Sequence, residues 1–566
     1  MRLLFKGGSA VNVFCGTVER CDVLVEDGVI VGVGEYSCDC ADCVVDAEGK
    51  FLSPGFIDGH IHIESTMLTP AEFARVAVAR GTTSVIADPH EIANVAGTLG
   101  IEYMLEASEG LPVSVYIALP SCVPATPHDE AGAILEASEL EPLYAYPRVV
   151  ALGEVMNYVG VIAGDEKLLR KIERAKANHR VINGHAPLLS GKELSRYVAY
   201  GIEDDHECSS AEEARERIAR GQWIMIRQGT AAKNLEALLP LFDGDTKYRC
   251  LLVSDDKHPA DLLSVGHIDD IIRLAVKAGK NPVDAIRMAS FNAAQHFGLK
   301  NVGAIAPGYA ADILLLDNLE NIGVLSAYKG GRLVAEGGAA CDFPQPRVRE
   351  ELYSAVHSSF NLKELTAEDF RIDACGRRDC RVISLIEGEL LTNEEILSID
   401  FDRCGGIDTS RDILKLAVIE RHKGTGHIGL GFMHGAGLPK GAIASSVAHD
   451  AHNLIVLGAC EGDMAVAANR VREMGGGLAV VCGGEVVCEM PLPVGGLMSE
   501  LDCRACAEQN EAVRAAAHTL GVPQGRELFM SLAFVSLPVI PHLKMTTHGL
   551  VDVNTQRRVS LFADTE

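Results

Sequence analysis

Eight strand candidates, most of them rich in β-branched and apolar residues, recur between residues 56 and 255. They lie at 56–64, 82–88, 113–119, 149–155, 181–185, 202–206, 223–228 and 250–255, and helical patterns such as 165–176 and 211–220 separate several of them. One unit shows the logic. Thr69-Pro70-Ala71-Glu72 reads as an N-cap with proline at the first helical position and glutamate at the third. Phe73, Val76 and Ala77 then make an apolar helical face, Gly81 supplies the stop, and a β-branched strand follows. Eight such units in roughly 200–250 residues match a (β/α)8 TIM barrel. A Rossmann sheet is the rival for any βα repeat, but no Gly-x-Gly-x-x-Gly follows the first strand and no P-loop lysine motif occurs.

The flanks differ in texture. Residues 22–33 hold two β-branched runs split by Asp27-Gly28, a strong hairpin signal, and similar short strands return at 308–316 and 330–335. Two β-rich pieces around a long insert predict one small composite β-sandwich domain. The expected organisation is therefore α/β. Residues 1–53 and 301–350 form the sandwich, 54–300 the catalytic barrel, and the glycine-rich 351–566 a C-terminal α+β domain.

At 566 residues the chain exceeds what one hydrophobic core serves. Acidic residues outnumber basic ones by 78 to 51, a net charge of −27 that disfavours nucleic acid as a partner. The mean hydropathy is +0.14, yet no stretch approaches the ~18 consecutive apolar residues of a membrane span. Met1 to Gly8 is too poor in apolar residues for a signal peptide, and the 17 cysteines then read as reduced thiols. These features predict a cytoplasmic protein with no membrane partner. A homo-oligomer, a dimer, is expected.

Metal-capable side chains fall at the strand ends. His60 and His62 stand two apart on the first strand, so the pleat points both the same way. Glu154 lies near the end of the fourth strand, His185 of the fifth and His206 of the sixth, while Asp255 closes the eighth. A single His-x-His is a weak signal, because most such histidines are satisfied within a core. In a TIM barrel, however, the carboxyl ends of all strands meet at one mouth. Ionisable groups gathered there are costly unless paired or bound to metal. Four imidazoles and two carboxylates make a site for two divalent cations, with Glu154 able to bridge them. The nitrogen and oxygen donors suit Mn, Fe or Zn. Two such cations lower the pKa of a shared water, and Asp255 is placed to take its proton. The chemistry expected is hydrolytic attack on a C=O or C=N carbon.

The run from Phe51 through Pro54-Gly55-Phe56-Ile57-Asp58-Gly59-His60-Ile61-His62 resembles the first-strand signature of the amidohydrolase superfamily. Ile63-Glu64-Ser65-Thr66-Met67, Ala87-Asp88-Pro89-His90-Glu91 with Ile92 to Val95, and Ser254-Asp255-Asp256-Lys257-His258-Pro259 resemble the bacterial-type adenine deaminase family. The likeness continues into the C-terminal region, from Gly441 through Ala448-His449-Asp450-Ala451-His452-Asn453. It implies hydrolysis of adenine to hypoxanthine and ammonia at a dinuclear iron or manganese centre, zinc being the third option. In Gly153-Glu154-Val155 it also implies a glutamate where the superfamily often carries a carbamylated lysine. With adenine as substrate, N1 and the leaving amine must be protonated. Glu91 and Asp256 are the candidate proton carriers beside Asp255; Gln228, His90 and His258 are candidates for holding the ring. The competing expectations are a hydrolase of another aminopurine or cyclic amide, and a barrel retained as a scaffold without turnover.

Three remaining features weigh less. Cys38, Cys40 and Cys43, and the pair Cys503 and Cys506, lack a second matching pair at zinc-ribbon spacing and read as ordinary thiols. The zinc nucleobase-deaminase signature fails because Asp502 occupies its proline position. His422, His427, His434, His449 and His452 are dense for one region and fit either a lid or a structural role.

Overall fold

Strands buried on both faces read as continuous apolar runs, and the centre of this chain is built from them. A computed structural model describes all residues except 231, 387, 388, 390, 403 and 564–566. Eight strands run in parallel: β1 (Phe56–Ile61), β2 (Thr82–Ala87), β3 (Ser114–Leu119), β4 (Val149–Val155), β5 (Val181–Gly184), β6 (Asp204–Asp205), β7 (Trp223–Arg227) and β8 (Cys250–Val253). β1 to β5 form one sheet and β6 to β8 another. The Glu203 N–H donates to Ile182 O at 2.9 Å between β5 and β6. The Asp255 N–H donates to His60 O at 2.9 Å between β8 and β1, where Ile61 and Asp255 form a parallel bridge. Those two seams close the sheets into a barrel. Ile57, Ile86, Ala118, Ala151, Met225, Leu251 and Val253 share one apolar cluster within it.

Local signals mostly hold. The helix Pro70–Ala79 starts on proline after an extended Thr69, and Gly81 follows it with φ 85°. The expected side-chain cap is absent: the Thr69 hydroxyl makes no capping bond, and Glu72 accepts from Arg75 Nε at 3.1 Å instead. Proline at the first position leaves fewer N–H groups to cap, so the glutamate serves a neighbour on its own helix. Helix Glu166–Ala177 is capped by Asp165, which accepts from the Lys167 and Leu168 N–H groups.

The same unit, which comprises Met1–Pro89, Met104–Ser121 and Glu136–Val348, carries a nine-stranded sheet. Its N-terminal and returning pieces meet where Phe51–Pro54 pairs antiparallel with Ile313–Leu316. Asp27 and Gly28, both at positive φ (49° and 85°), turn Thr17–Glu26 into Val29–Gly34. Asp22 ties this sheet together. Its carboxylate accepts from Lys6 Nζ at 2.7 Å, Gly7 N–H at 2.8 Å and Tyr36 N–H at 2.9 Å. Burial pushes that carboxyl up, but Lys6 and the two N–H donors outweigh it and hold it below its usual 3.8. A carboxyl depressed in this way stabilises the fold above its unfolded pKa and loses that effect as pH falls through the folded one. Asp22→Ala is therefore expected to lower stability by about 1–3 kcal/mol at neutral pH. In urea melts the gap to the parent should close below the usual carboxylate range; a gap unchanged down to pH 2 would disprove the assignment.

The second unit comprises His90–Tyr103, Cys122–Leu135 and Arg349–Glu566, so two segments that follow β2 and β3 in sequence group with the C-terminal region. Its eight-stranded sheet is antiparallel except where Asp379–Leu385 pairs parallel with Ile428–His434. Helix Glu461–Glu473 buries Met464, Ala467, Ala468 and Val471 against Ala417, Ala444, Val456 and Ala479 of that sheet. Asp502 caps helix Cys503–Thr519 through the Ala505 N–H at 2.9 Å. Burial pushes the Cys506 thiol up to about 12, the opposite of a reactive thiolate. Among the described residues no helix is long and apolar enough to cross a membrane.

Candidate metal centre

The carboxyl ends of the barrel strands bring six predicted donors together. His60 ends up 1% exposed, His62, Glu154 and Asp255 4% each, and His206 1%. Asp255 Oδ1 lies 3.5 Å from His60 Nε2 and 3.2 Å from His62 Nε2. Glu154 presents its two oxygens to different partners. Oε1 is 3.4 Å from His62 Nε2, whereas Oε2 is 2.7 Å from His185 Nδ1 and 3.1 Å from His206 Nε2. The His60 and His206 rings stack with centroids 4.5 Å apart.

The surroundings orient these groups. The His62 Nδ1–H donates to Asp88 O at 2.9 Å, which leaves its Nε2 lone pair facing the two carboxylates. Asp88 Oδ2 accepts the Glu154 N–H at 2.9 Å. A Cβ at Gly153 would collide with that same Asp88 carboxylate, so glycine is required before Glu154. Tyr197 accepts the His185 N–H at 3.2 Å and donates to Val155 O at 2.9 Å. Beneath the first strand, Asp58 accepts from the His60 N–H at 3.2 Å, the Ser254 N–H at 3.1 Å and the Ser254 hydroxyl, and it faces His267 Nε2 at 2.9 Å.

Two groups that the sequence did not single out complete the cluster. Arg227 forks onto Glu207, with Nη2 to Oε2 at 3.0 Å, and its Nη1 reaches Asp255 Oδ2 at 2.9 Å. Glu207 Oε1 also lies 3.5 Å from His206 Nε2 and 3.6 Å from His185 Nδ1. Their only local signals are adjacency: Glu207 follows His206, and Arg227 breaks an apolar strand just before Gln228.

Electrostatics favour cations here. Burial pushes the Glu154 carboxyl up, yet His185 and His206 outweigh it and hold it well below the usual range. Burial likewise raises Asp255, and His60, His62 and Arg227 reverse the direction. Burial lowers His206, but Glu154 lifts it to about 9. Among the described residues His60 Nε2 is buried without a hydrogen-bond partner, a cost that a bound cation would remove. Two overlapping groups of donor atoms lie within 4.8 Å of one another: His60, Glu154 and His206, and His60, His62 and Asp255. All are nitrogen or oxygen, so the residues fit hard to borderline divalent metals.

The other candidates fall as follows. Asp256 accepts the Ser65 hydroxyl at 2.6 Å, and its carbonyl accepts the Thr230 N–H at 2.7 Å. The Gln228 N–H donates to Val253 O at 3.1 Å, and the His258 N–H to Thr230 Oγ1 at 2.9 Å. Glu91 and His90 belong to the second unit. There, Glu91 Oε1 is 3.6 Å from His449 Nδ1 and Oε2 is 3.8 Å from His452 Nε2, while His90 Nε2 is 3.7 Å from Asp450 Oδ1. His452 Nδ1 accepts the Ala448 N–H at 3.2 Å, so the neutral ring carries its proton on Nε2, towards Glu91. Burial, with His449 and Arg421 adding, keeps that ring well below its ordinary pKa and therefore neutral.

Comparison with known proteins finds relatives along nearly the whole chain. A model of the amidohydrolase family matches residues 51–336, and one of the adenine deaminase C-terminal domain matches 389–557. An adenine deaminase of Carboxydothermus hydrogenoformans is 47% identical over 556 residues, covering 98% of this chain and 95% of its own. One from Desulfatibacillum aliphaticivorans is 46% identical over 563 residues, covering 99% and 97%. One from Nitratidesulfovibrio vulgaris strain DP4 is 44% identical over 555 residues, covering 98% and 95%.

Proposed function

The chain belongs to the adenine deaminase family of the amidohydrolases, and from that premise we propose that it hydrolyses adenine to hypoxanthine and ammonia at a pair of divalent cations. His60, His62, Glu154, His185, His206 and Asp255 would hold the pair. The observation that carries this reading is the split of Glu154, whose two oxygens face separate imidazoles. Divalent cations held there would supply a nucleophile at neutral pH by lowering the pKa of a bound water towards ~7.

The chain's own groups do the rest. Asp255 Oδ1 takes a proton from the water that attacks C6, while Arg227 pins Oδ2 and stops the carboxylate from rotating. That proton goes to N1, and the second proton of the water goes to the departing amine, so adenine and water give hypoxanthine and ammonia in balance. Asp256, held by Ser65, is the carboxylate proposed to carry those protons. Gln228 and His258 are proposed to hold the ring nitrogens and the exocyclic group. The oxygen and nitrogen donors support manganese or iron in this role, with zinc as the alternative.

Protein stripped with a chelator and reconstituted with Mn(II) or Fe(II) should release ammonia from adenine, with activity rising up to two equivalents of metal. Silence on adenine after full reconstitution, or turnover of hydantoin rings instead, would overturn the reading.

A further inference from the structure

Within the second unit, three side chains from distant stretches of the chain meet at one point. They are Glu130, His427 immediately before strand Ile428–His434, and His548 in the turn between Leu543–Thr546 and Gly549–Asp552. His427 Nδ1 lies 3.1 and 3.0 Å from the two Glu130 oxygens, and His548 Nε2 lies 3.5 Å from Oε2. The two rings are 4.8 Å apart at 52°, so their nitrogens converge on the carboxylate.

An ion pair alone does not account for this. One protonated imidazole suffices to pair a carboxylate, and two beside each other repel. His548 Nε2 nevertheless faces the spot that His427 and Glu130 already face. Ligands at about 2.0–2.2 Å from a tetrahedral zinc ion stand about 3.3–3.5 Å from one another, close to the spacing seen here. Glu130 is also held from outside: Thr547 Oγ1 donates to its carboxylate Oε2 at 2.9 Å, and Asn453 Nδ2 to its backbone carbonyl at 2.8 Å.

We propose that Glu130, His427 and His548 form a further divalent-cation site of zinc type, with water in the open position, that clips three segments of the second unit together. The donor set of two imidazoles and one carboxylate follows zinc preferences, and the Irving–Williams order places zinc above manganese and iron there. The His427 side chain is 50% exposed and that of His548 27%, which gives the ion an entry path and makes the site exchangeable.

The test uses full-length protein carrying manganese and dialysed free of excess metal. It is titrated with Zn²⁺ in a calorimeter, and both metals are then counted by elemental analysis. The parent should take up one zinc beyond its manganese. H427A/H548A, and separately the milder E130Q, should lose that one equivalent while keeping the manganese and the parent rate of ammonia release. Zinc uptake that only displaces manganese, or a further equivalent that survives both variants, would overturn the proposal. The manganese count and the ammonia assay read the dinuclear centre independently, so failure of either reading is distinguishable.

Discussion

Glu154→Gln is expected to give a folded protein that releases ammonia from adenine about 10³-fold more slowly or worse, because generation of the nucleophile itself is lost. The amide has the same shape as the carboxylate, and the backbone there is fixed independently by the Glu154 N–H bond to Asp88. Only one of its two terminal atoms can ligate. Whichever way it turns, an NH2 group faces either His62 or the pair His185 and His206, where the parent offers an anionic oxygen. The negative charge that offsets two cations among four imidazoles also disappears, leaving Asp255 and Glu207, both already shared with Arg227. Elemental analysis should accordingly find fewer than two ions per chain, with the circular dichroism spectrum unchanged. Two bound ions and activity within a few-fold of the parent would show that Glu154 does not bridge.

Much of this centre can be read from the sequence because it depends on local rules. A histidine pair two apart on an apolar strand must share a face, and the carboxyl ends of parallel barrel strands must share a mouth, so His60, His62, Glu154, His185, His206 and Asp255 follow from strand placement alone. What escaped depends on tertiary placement. Arg227 and Glu207 look like ordinary charges at strand ends until β7 is laid between β6 and β8, which lets one guanidinium serve two carboxylates. The sixth strand was expected over 202–206 but is only Asp204–Asp205, since its acids bond sideways: Asp204 accepts from Asn183 Nδ2 at 2.6 Å and faces His296 Nε2 at 2.6 Å. Glu91 is expected with the barrel as an acid after the second strand, whereas residues 90–103 and 122–135 group with the C-terminal region, through bonds such as Asn453 Nδ2–H to Glu130 O at 2.8 Å. No periodicity in a contiguous stretch announces that exchange.

Arg217→Met is expected to cost about 3–5 kcal/mol, the loss typical of breaking a buried ion pair from one side. Arg217 and Asp205 are both fully buried, with Nε 3.5 Å from Oδ2, and Arg217 Nη1 lies 3.2 Å from Glu213. The guanidinium also donates to Ala186 O, so it links the segment after β5 to the end of β6. Methionine fills the space but leaves Asp205 as an uncompensated charge in a dry interior. The damage should reach the chemistry, because Asp205 accepts the Ala186 N–H at 2.9 Å and the Glu207 N–H at 2.8 Å and thereby sets the backbone beside His185 and His206. Urea unfolding should show the lowered midpoint, and metal content should fall with it. Adding Asp205→Asn separates the two effects. Removing the orphaned charge should restore part of the stability, yet an amide cannot accept both N–H bonds, so the metal deficit should persist. A midpoint shift of less than about 1 kcal/mol, within the range of ordinary surface substitutions, would mean that this pair does not hold the histidine-bearing ends of β5 and β6 in place.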